Sequence, residues 1–264
     1  MNVSEIIAIL DQFAPRHLAE SWDNTGLLLG RQSTVVTQLM TCLTLTPDVA
    51  QEAIENDVQL IVSHHPILFR GAKQISDRNS EGDMLLRLIE AGIAVYSPHT
   101  SFDNTHNGIN HQWCHLLQLT NPQPLKTRET SQGVVEIGRH GELEKPTPLK
   151  QVLQQLMPEI DCHGLQYVGA DEQPIQSIAI ACGAAGEFLT DAIAQKCDLF
   201  ITGELRFHDA LLARTAGIAV AVVGHYPSER HAVEWLATDL AKQLDGVNCF
   251  ASQVETDPLQ VLTN

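Results

Sequence analysis

The chain has 264 residues, 44% of them hydrophobic, which suffices for one large or two medium domains at roughly 100–200 residues per domain. Its 32 acidic residues against 16 basic ones give a formal charge of −16, which disfavours a nucleic acid partner, because Lys and Arg must displace counterions to hold a phosphate backbone. The longest apolar run, Ile218 to Val223, is far short of the roughly 20 residues a membrane-spanning helix needs, and the N-terminus lacks a basic leader, so a cytoplasmic protein without membrane contact is expected.

Val3, Ile6, Ile7, Leu10 and Phe13 recur at helical spacing and predict an amphipathic first helix that ends before Pro15. Trp22-Asp23-Asn24-Thr25-Gly26 reads as a polar turn feeding the apolar Leu27-Leu28-Leu29. From Met40 the pattern alternates: strand Met40 to Leu45, helix Pro47 to Asn56, strand Val58 to Ser63, helix Met84 to Ala91, strand Ile93 to Ser97. Thr120 to Pro148 is polar and glycine-bearing, a connection with a few extra strands. The alternation then returns as strand Gln176 to Cys182, helix Glu187 to Lys196, strand Leu199 to Thr202, helix Phe207 to Ala216 and strand Ile218 to Val223. Such alternation predicts an α/β fold with mostly parallel sheets.

The two halves echo one another. Ala91-Gly92-Ile93-Ala94-Val95 equals Ala216-Gly217-Ile218-Ala219-Val220, and Asp57 to His64 parallels Cys197 to Glu204. Two similar α/β domains follow: a first unit over 1–120, with 121–174 as connection and extra strands, and a second over 175–264, with room for completion by either terminal segment. The six cysteines include no Cys-x-x-Cys pair and read as reduced core thiols.

Ligands of open parallel sheets bind beyond the carboxyl ends of the strands. Three segments stand there: Ser63-His64-His65-Pro66, Pro98-His99-Thr100-Ser101-Phe102-Asp103-Asn104, and Gly224-His225-Tyr226-Pro227-Ser228-Glu229. Taken singly, each has a plain explanation. The His pair can be a strand end, Asp103 can cap a turn, and Glu229 can favour the positive end of a helix starting near Ser228. Taken together they form a nitrogen and oxygen donor set suited to Zn, Mn, Fe or Ni, without thiolate, and large enough for two divalent ions per subunit. His99 reads as a group that orients ligands or moves protons rather than as a ligand. Glu204 and His208, on the second unit's rim, are further proton-transfer candidates. His106, His111 and His115 cluster near a helix beginning around Asn110. His17, His140, His163 and His231 read as surface residues. Arg70, Arg206 and Arg230 lie near the rim and suit a phosphate. No Gly-x-Gly-x-x-Gly, P-loop or Gly-x-Ser-x-Gly pattern is present, so a nucleotide cofactor and serine hydrolysis lack a signal.

In this order, Trp22-Asp23-Asn24-x-Gly26, Ser63-His64-His65-Pro66, His99-Thr100-x-x-Asp103, Thr202-Gly203-Glu204 and Gly224-His225-Tyr226-x-x-Glu229 resemble the NIF-three-like proteins, the GTP cyclohydrolase I type 2 homologues. The likeness is to the short form without an inserted middle domain. It implies that His64, His65, Asp103, His225 and Glu229 are ligands of a dinuclear centre in a cleft between two α/β domains, and that the protein is a toroidal homohexamer. Where relatives often carry Cys-Gly-Gly, this chain has Cys182-Gly183-Ala184, which touches none of those ligands. The functional expectation is a metal-dependent hydrolase acting on a nucleotide or related small phosphorylated or heterocyclic compound. The alternative is a non-catalytic metal-binding ring that scaffolds or assembles.

Overall fold

The computed structural model describes residues 1–262. Its elements are α1 (Val3–Phe13), β1 (Gly26–Leu29), β2 (Gln38–Cys42), α2 (Pro47–Glu55), β3 (Leu60–Ser63), α3 (Ser80–Glu90), β4 (Ala94–Ser97), α4 (His99–Asn104) and α5 (Ile109–Leu116). There follow β5 (Thr120–Gln123), β6 (Lys126–Thr130), β7 (Gly133–Ile137), β8 (Arg139–Pro148), α6 (Leu149–Glu159), β9 (Gln166–Val168), β10 (Pro174–Ala181) and α7 (Leu189–Ala194). The chain closes with β11 (Leu199–Thr202), α8 (Phe207–Ala216), β12 (Ala219–Val222), α9 (His225–Gln243) and β13 (Asn248–Ala251). It divides into two compact units, Met1–Phe102 with Ala232–Thr256, and Asp103–His231 with the segment from Asp257.

In the first unit the strand order is β1-β4-β3-β2-β13, with β1 antiparallel to β4 and the other pairs parallel. Every residue of β3 and β4 is buried, which is why these strands read as continuous runs rather than alternating ones. Val3, Ile6, Ile7 and Leu10 are the buried stripe of α1, as the spacing predicts. Asn2 and Glu5 close a reciprocal capping box at its start, satisfying two amides that the helix itself leaves open.

In the second unit the order is β5-β8-β10-β11-β12-β9. β10, β11 and β12 run parallel, while β8 and β9 join antiparallel on either side and β5 pairs antiparallel with β8. The polar stretch thus builds sheet edge, together with the separate β6–β7 hairpin. β5 and β6 are mostly exposed, and the buried positions of this stretch fall in β7 and at the start of β8.

The sequence echo extends to hydrogen-bond register. Leu60 stands opposite Ala94 and Leu199 opposite Ala219, so β3 superposes on β11 with Leu60 matching Leu199. This is one residue away from the match read in the sequence. His64 therefore corresponds to Gly203 and His65 to Glu204. On the following strand, His99 corresponds to Gly224.

Helix starts also differ from expectation. α3 begins at Ser80, its first turn being polar and capped by the Asn79 side chain accepting from the Gly82 amide. α9 begins at His225 rather than near Ser228; Pro227 fits its first turn, where an amide hydrogen has no helical partner. α7 is shortened to Leu189–Ala194, preceded by a 3₁₀ turn at Gly186–Phe188. All six cysteines are free thiols, five of them buried. Among the described residues no helix is long and apolar enough to cross a membrane.

Candidate metal centre

In the first unit β3 delivers His64 and His65 with their backbones pinned. The His64 amide donates to Cys42 O and the His65 amide to Leu43 O. Ser97 Oγ donates to His64 O and Ser63 Oγ to His65 O, each at 2.7 Å. With the main chain fixed, the rings are what the rim presents. Thr44 Oγ1 lies 2.7 Å from His65 Nδ1, which places Nε2 on the opposite side of that ring. His99 Nδ1 lies 2.6 Å from Asp23 Oδ1. Asp23 also accepts from the Asn24 amide at 2.7 Å, from the Thr100 amide at 3.1 Å, and from the Thr100 hydroxyl.

Burial alone would raise the Asp23 pKa, but the hydrogen bonds from His99 and Thr100 outweigh it and hold the carboxyl below its ordinary range. A carboxylate on Nδ1 fixes the tautomer that directs a lone pair from Nε2. The ring centroids of His64 and His65 are 5.0 Å apart, those of His64 and His99 5.3 Å, and those of His65 and His99 5.8 Å. Each of the three offers a nitrogen, and these atoms lie within 4.8 Å of one another. This is a group able to hold a metal ion. Beside His65 opens a cleft of about 260 Å³ lined by Thr44, Thr46, Pro66, Ser80 and Glu81 among others.

The second unit contributes oxygen donors and one imidazole. His225 and Glu229 stand one turn apart on α9, with His225 Nε2 3.2 Å from Glu229 Oε2 and Nδ1 2.7 Å from Glu204 Oε1. Hydrogen bonding to Glu229 works against burial and, with the Glu204 contact, pushes the His225 pKa up to about 9. Asp103, half-buried, has its Oδ1 3.5 Å from Cys182 Sγ. Burial and the Asp103 and Glu229 charges raise the Cys182 pKa far enough to keep the thiol protonated, so the donor set is nitrogen and oxygen.

A polar frame that local patterning does not reveal holds this second group. Asn110 donates to Asp103 O at 3.1 Å and accepts from the Cys182 amide at 3.0 Å. Ser228 Oγ accepts from the Gly183 amide at 2.9 Å and donates to His225 O at 2.7 Å. Trp113, a buried core aromatic as expected, donates Nε1–H to Ser228 O at 2.9 Å. Gly183 adopts φ +67°, and a Cβ there would stand 2.3 Å from Glu229 Oε1. Only glycine lets this strand end lie against the carboxylate.

Other sequence candidates are placed as follows. Glu204 is exposed but bonded to His225, and His208 is exposed on α8 beside Phe207. Arg70 and Arg206 are exposed, and Arg230 is half-buried. His231, expected at the surface, has a buried ring packed edge-on against Trp113 at 5.6 Å, and burial drives its pKa down to about 4.

The sequence profile of the Duf34/NIF3 (NGG1p interacting factor 3) family matches residues 1–258. The chain is 31% identical over 262 residues to a Clostridium acetobutylicum protein named GTP cyclohydrolase 1 type 2 homolog, covering 98% of each chain. It is 33% identical over 281 residues to the protein NIF3 homolog of Schizosaccharomyces pombe, again covering 98% of each. A solved Staphylococcus aureus protein superposes with a TM-score of 0.90 at 25% identity, covering 99% of both chains.

Proposed function

Because the chain belongs to the Duf34/NIF3 family, we propose that His64, His65, Asp103, His225 and Glu229 hold two divalent ions and that the protein hydrolyses a nucleotide or related small phosphorylated or heterocyclic compound. The observation that carries this reading is the His64 and His65 pair, whose nitrogens lie within 4.8 Å of each other and of a His99 nitrogen, with Thr44 orienting His65 and Asp23 orienting His99 beside them. Imidazole and carboxylate donors suit Zn, Mn, Fe or Ni. When bound, two such ions supply Lewis acidity and a water of lowered pKa.

The remaining work falls to the chain's own groups. Asp23 holds the His99 ring so that its Nε2 exchanges protons with the reacting group. Glu204 fixes the orientation of His225 through Nδ1, and His208 is a further proton carrier. The cleft beside His65 has room for a small substrate. Exposed Trp22 and Phe69 stand with ring centroids 6.0 and 6.3 Å from that of His99 and offer faces to a heterocycle. Assembly as a toroidal homohexamer belongs to the same proposal.

The test is a substrate panel offered to protein loaded separately with Zn²⁺, Mn²⁺ and Fe²⁺, alongside the double variant His64→Ala, His65→Ala. Metal content and turnover are expected to fall together while circular dichroism stays native. Fully metallated protein that turns over nothing refutes the hydrolase reading and favours a scaffold.

A further inference from the structure

His106, His111 and His115 take no part in the centre proposed above. His111 and His115 stand one turn apart on α5, and their ring centroids are 5.0 Å apart. His106, in the segment just before α5, brings its ring to 4.6 Å from that of His111. An ion about 2.0–2.1 Å from each of two imidazole nitrogens sets the ring centroids roughly 4.5–5 Å apart, the spacing of both pairs.

We infer that His111 and His115, joined by His106, form a second and separate surface site for a borderline transition-metal cation such as Zn²⁺, Ni²⁺ or Cu²⁺. An all-imidazole donor set excludes the hard ions Mg²⁺ and Ca²⁺, which take oxygen ligands. Cys114, between the two helix histidines, is buried with its Sγ turned to Asn110 O, and burial raises its pKa to about 11, so no thiolate joins them. His106 and His115 are exposed and His111 half-buried, which leaves the rings accessible and lets the exposed ones turn toward a shared ion on fast timescales.

Two further features favour a transition-metal cation here. His111 is kept neutral by burial and by the neighbouring His106, His115 and Arg139 charges, its pKa lying near 4, so no proton has to be displaced from it at neutral pH. The Arg139 charge opposes a cation here and is partly offset by Glu136 at 3.3 Å. His115 lies in the last turn of α5, where open carbonyls stabilise positive charge.

The experiment is equilibrium dialysis of the whole protein against Zn²⁺ and, separately, Ni²⁺, with elemental analysis. The parent is compared with the triple variant His106→Gln, His111→Gln, His115→Gln and with the double variant His64→Ala, His65→Ala. The triple variant is expected to bind one ion fewer per chain, and the double variant to keep that ion. His115→Gln alone should weaken it at least about tenfold, since even removal of a group that only supports a ligand costs 10–100-fold. Imidazole resonances of the three histidines should shift as Ni²⁺ or Zn²⁺ is added to the parent, a readout that does not depend on how the variants fold. Unchanged stoichiometry and affinity in the triple variant, or resonances that stay still under saturating ion, would overturn the inference. Because the double variant removes the other centre, failure of one site leaves the other measurable.

Discussion

β3 with β4 and β11 with β12 are the same piece of chain built twice, in the same register, yet their rims differ at every position that bears chemistry. After β3 come His64 and His65; after β11 come Gly203 and Glu204. At Gly203 a Cβ would stand 2.6 Å from Gly183 O and 2.8 Å from Ser228 Oγ, so the second rim is closed to any side chain where the first carries a buried imidazole. Both units start a helix within two residues of the next strand, α4 after β4 and α9 after β12, and in the second it is α9 that supplies His225 and Glu229. After β4 the contrast reverses. His99 takes φ +35°, a left-handed conformation costly for a side-chain-bearing residue, where its counterpart Gly224 takes +96° without strain. Asp23 and Thr100 hold His99 there. A shared scaffold thus fixes where chemistry is presented, and single substitutions at equivalent positions decide which element presents it.

The harshest way to break this comparison is Gly203→Val, which forces a side chain onto the closed rim. It should cost about 3 kcal/mol, as overpacking does, and lower the urea midpoint accordingly. A variant as stable as the parent would show that the rims do not differ in room. Next comes Asp23→Ala, which strips partners from buried donors and should cost about 2 kcal/mol. It should also loosen His99, detectable as a changed imidazole resonance with the His64 and His65 signals retained. Gly224→Ala tests the glycine directly: left-handed strain and contact with Pro227 should cost about 1 kcal/mol in the same denaturation assay.

The smallest effect concerns His111. Its folded pKa, near 4, lies below the unfolded value of 6.5, so between these limits the unfolded chain binds the extra proton and stability falls as pH falls. Above 6.5 neither state is protonated and the contribution is flat. His111→Gln should leave stability at pH 7 within about 0.5 kcal/mol. It should also flatten the fall in melting temperature between pH 6.5 and 4, and an unchanged acid slope would remove His111 as its source.

β11 and α8 were legible to the residue because apolar runs bounded by Asp198, Gly203 and Gly217 leave little freedom at either end. The rim positions of His64, His65 and His99 were equally legible, since each stands where a buried run stops. The polar supports were not. Asp23, Asn110 and Ser228 act through bonds to residues 76, 72 and 45 positions away, and no local periodicity encodes such partners. The start of α9 was missed because His225, Tyr226, Pro227 and Ser228 carry no apolar stripe, although a proline in a first turn is a sound helix signal. The one-residue offset between β3 and β11 could not be seen either, because Leu60 and Leu199 are each followed by apolar residues that tolerate sliding.

β13 lies beside β2 at the border of the first sheet, although some two hundred residues separate them in the chain. During synthesis the main segment of the second unit, Asp103 to His231, has emerged before Asn248–Ala251 leaves the ribosome, and its last segment, from Asp257, follows later. At about 5–20 residues per second, the flank of β2 then waits roughly ten seconds or longer without its last neighbour, an open ladder that invites pairing with other nascent chains. The translation interval between Cys42 and Asn248 is therefore a period in which the β2 edge stands open to wrong partners.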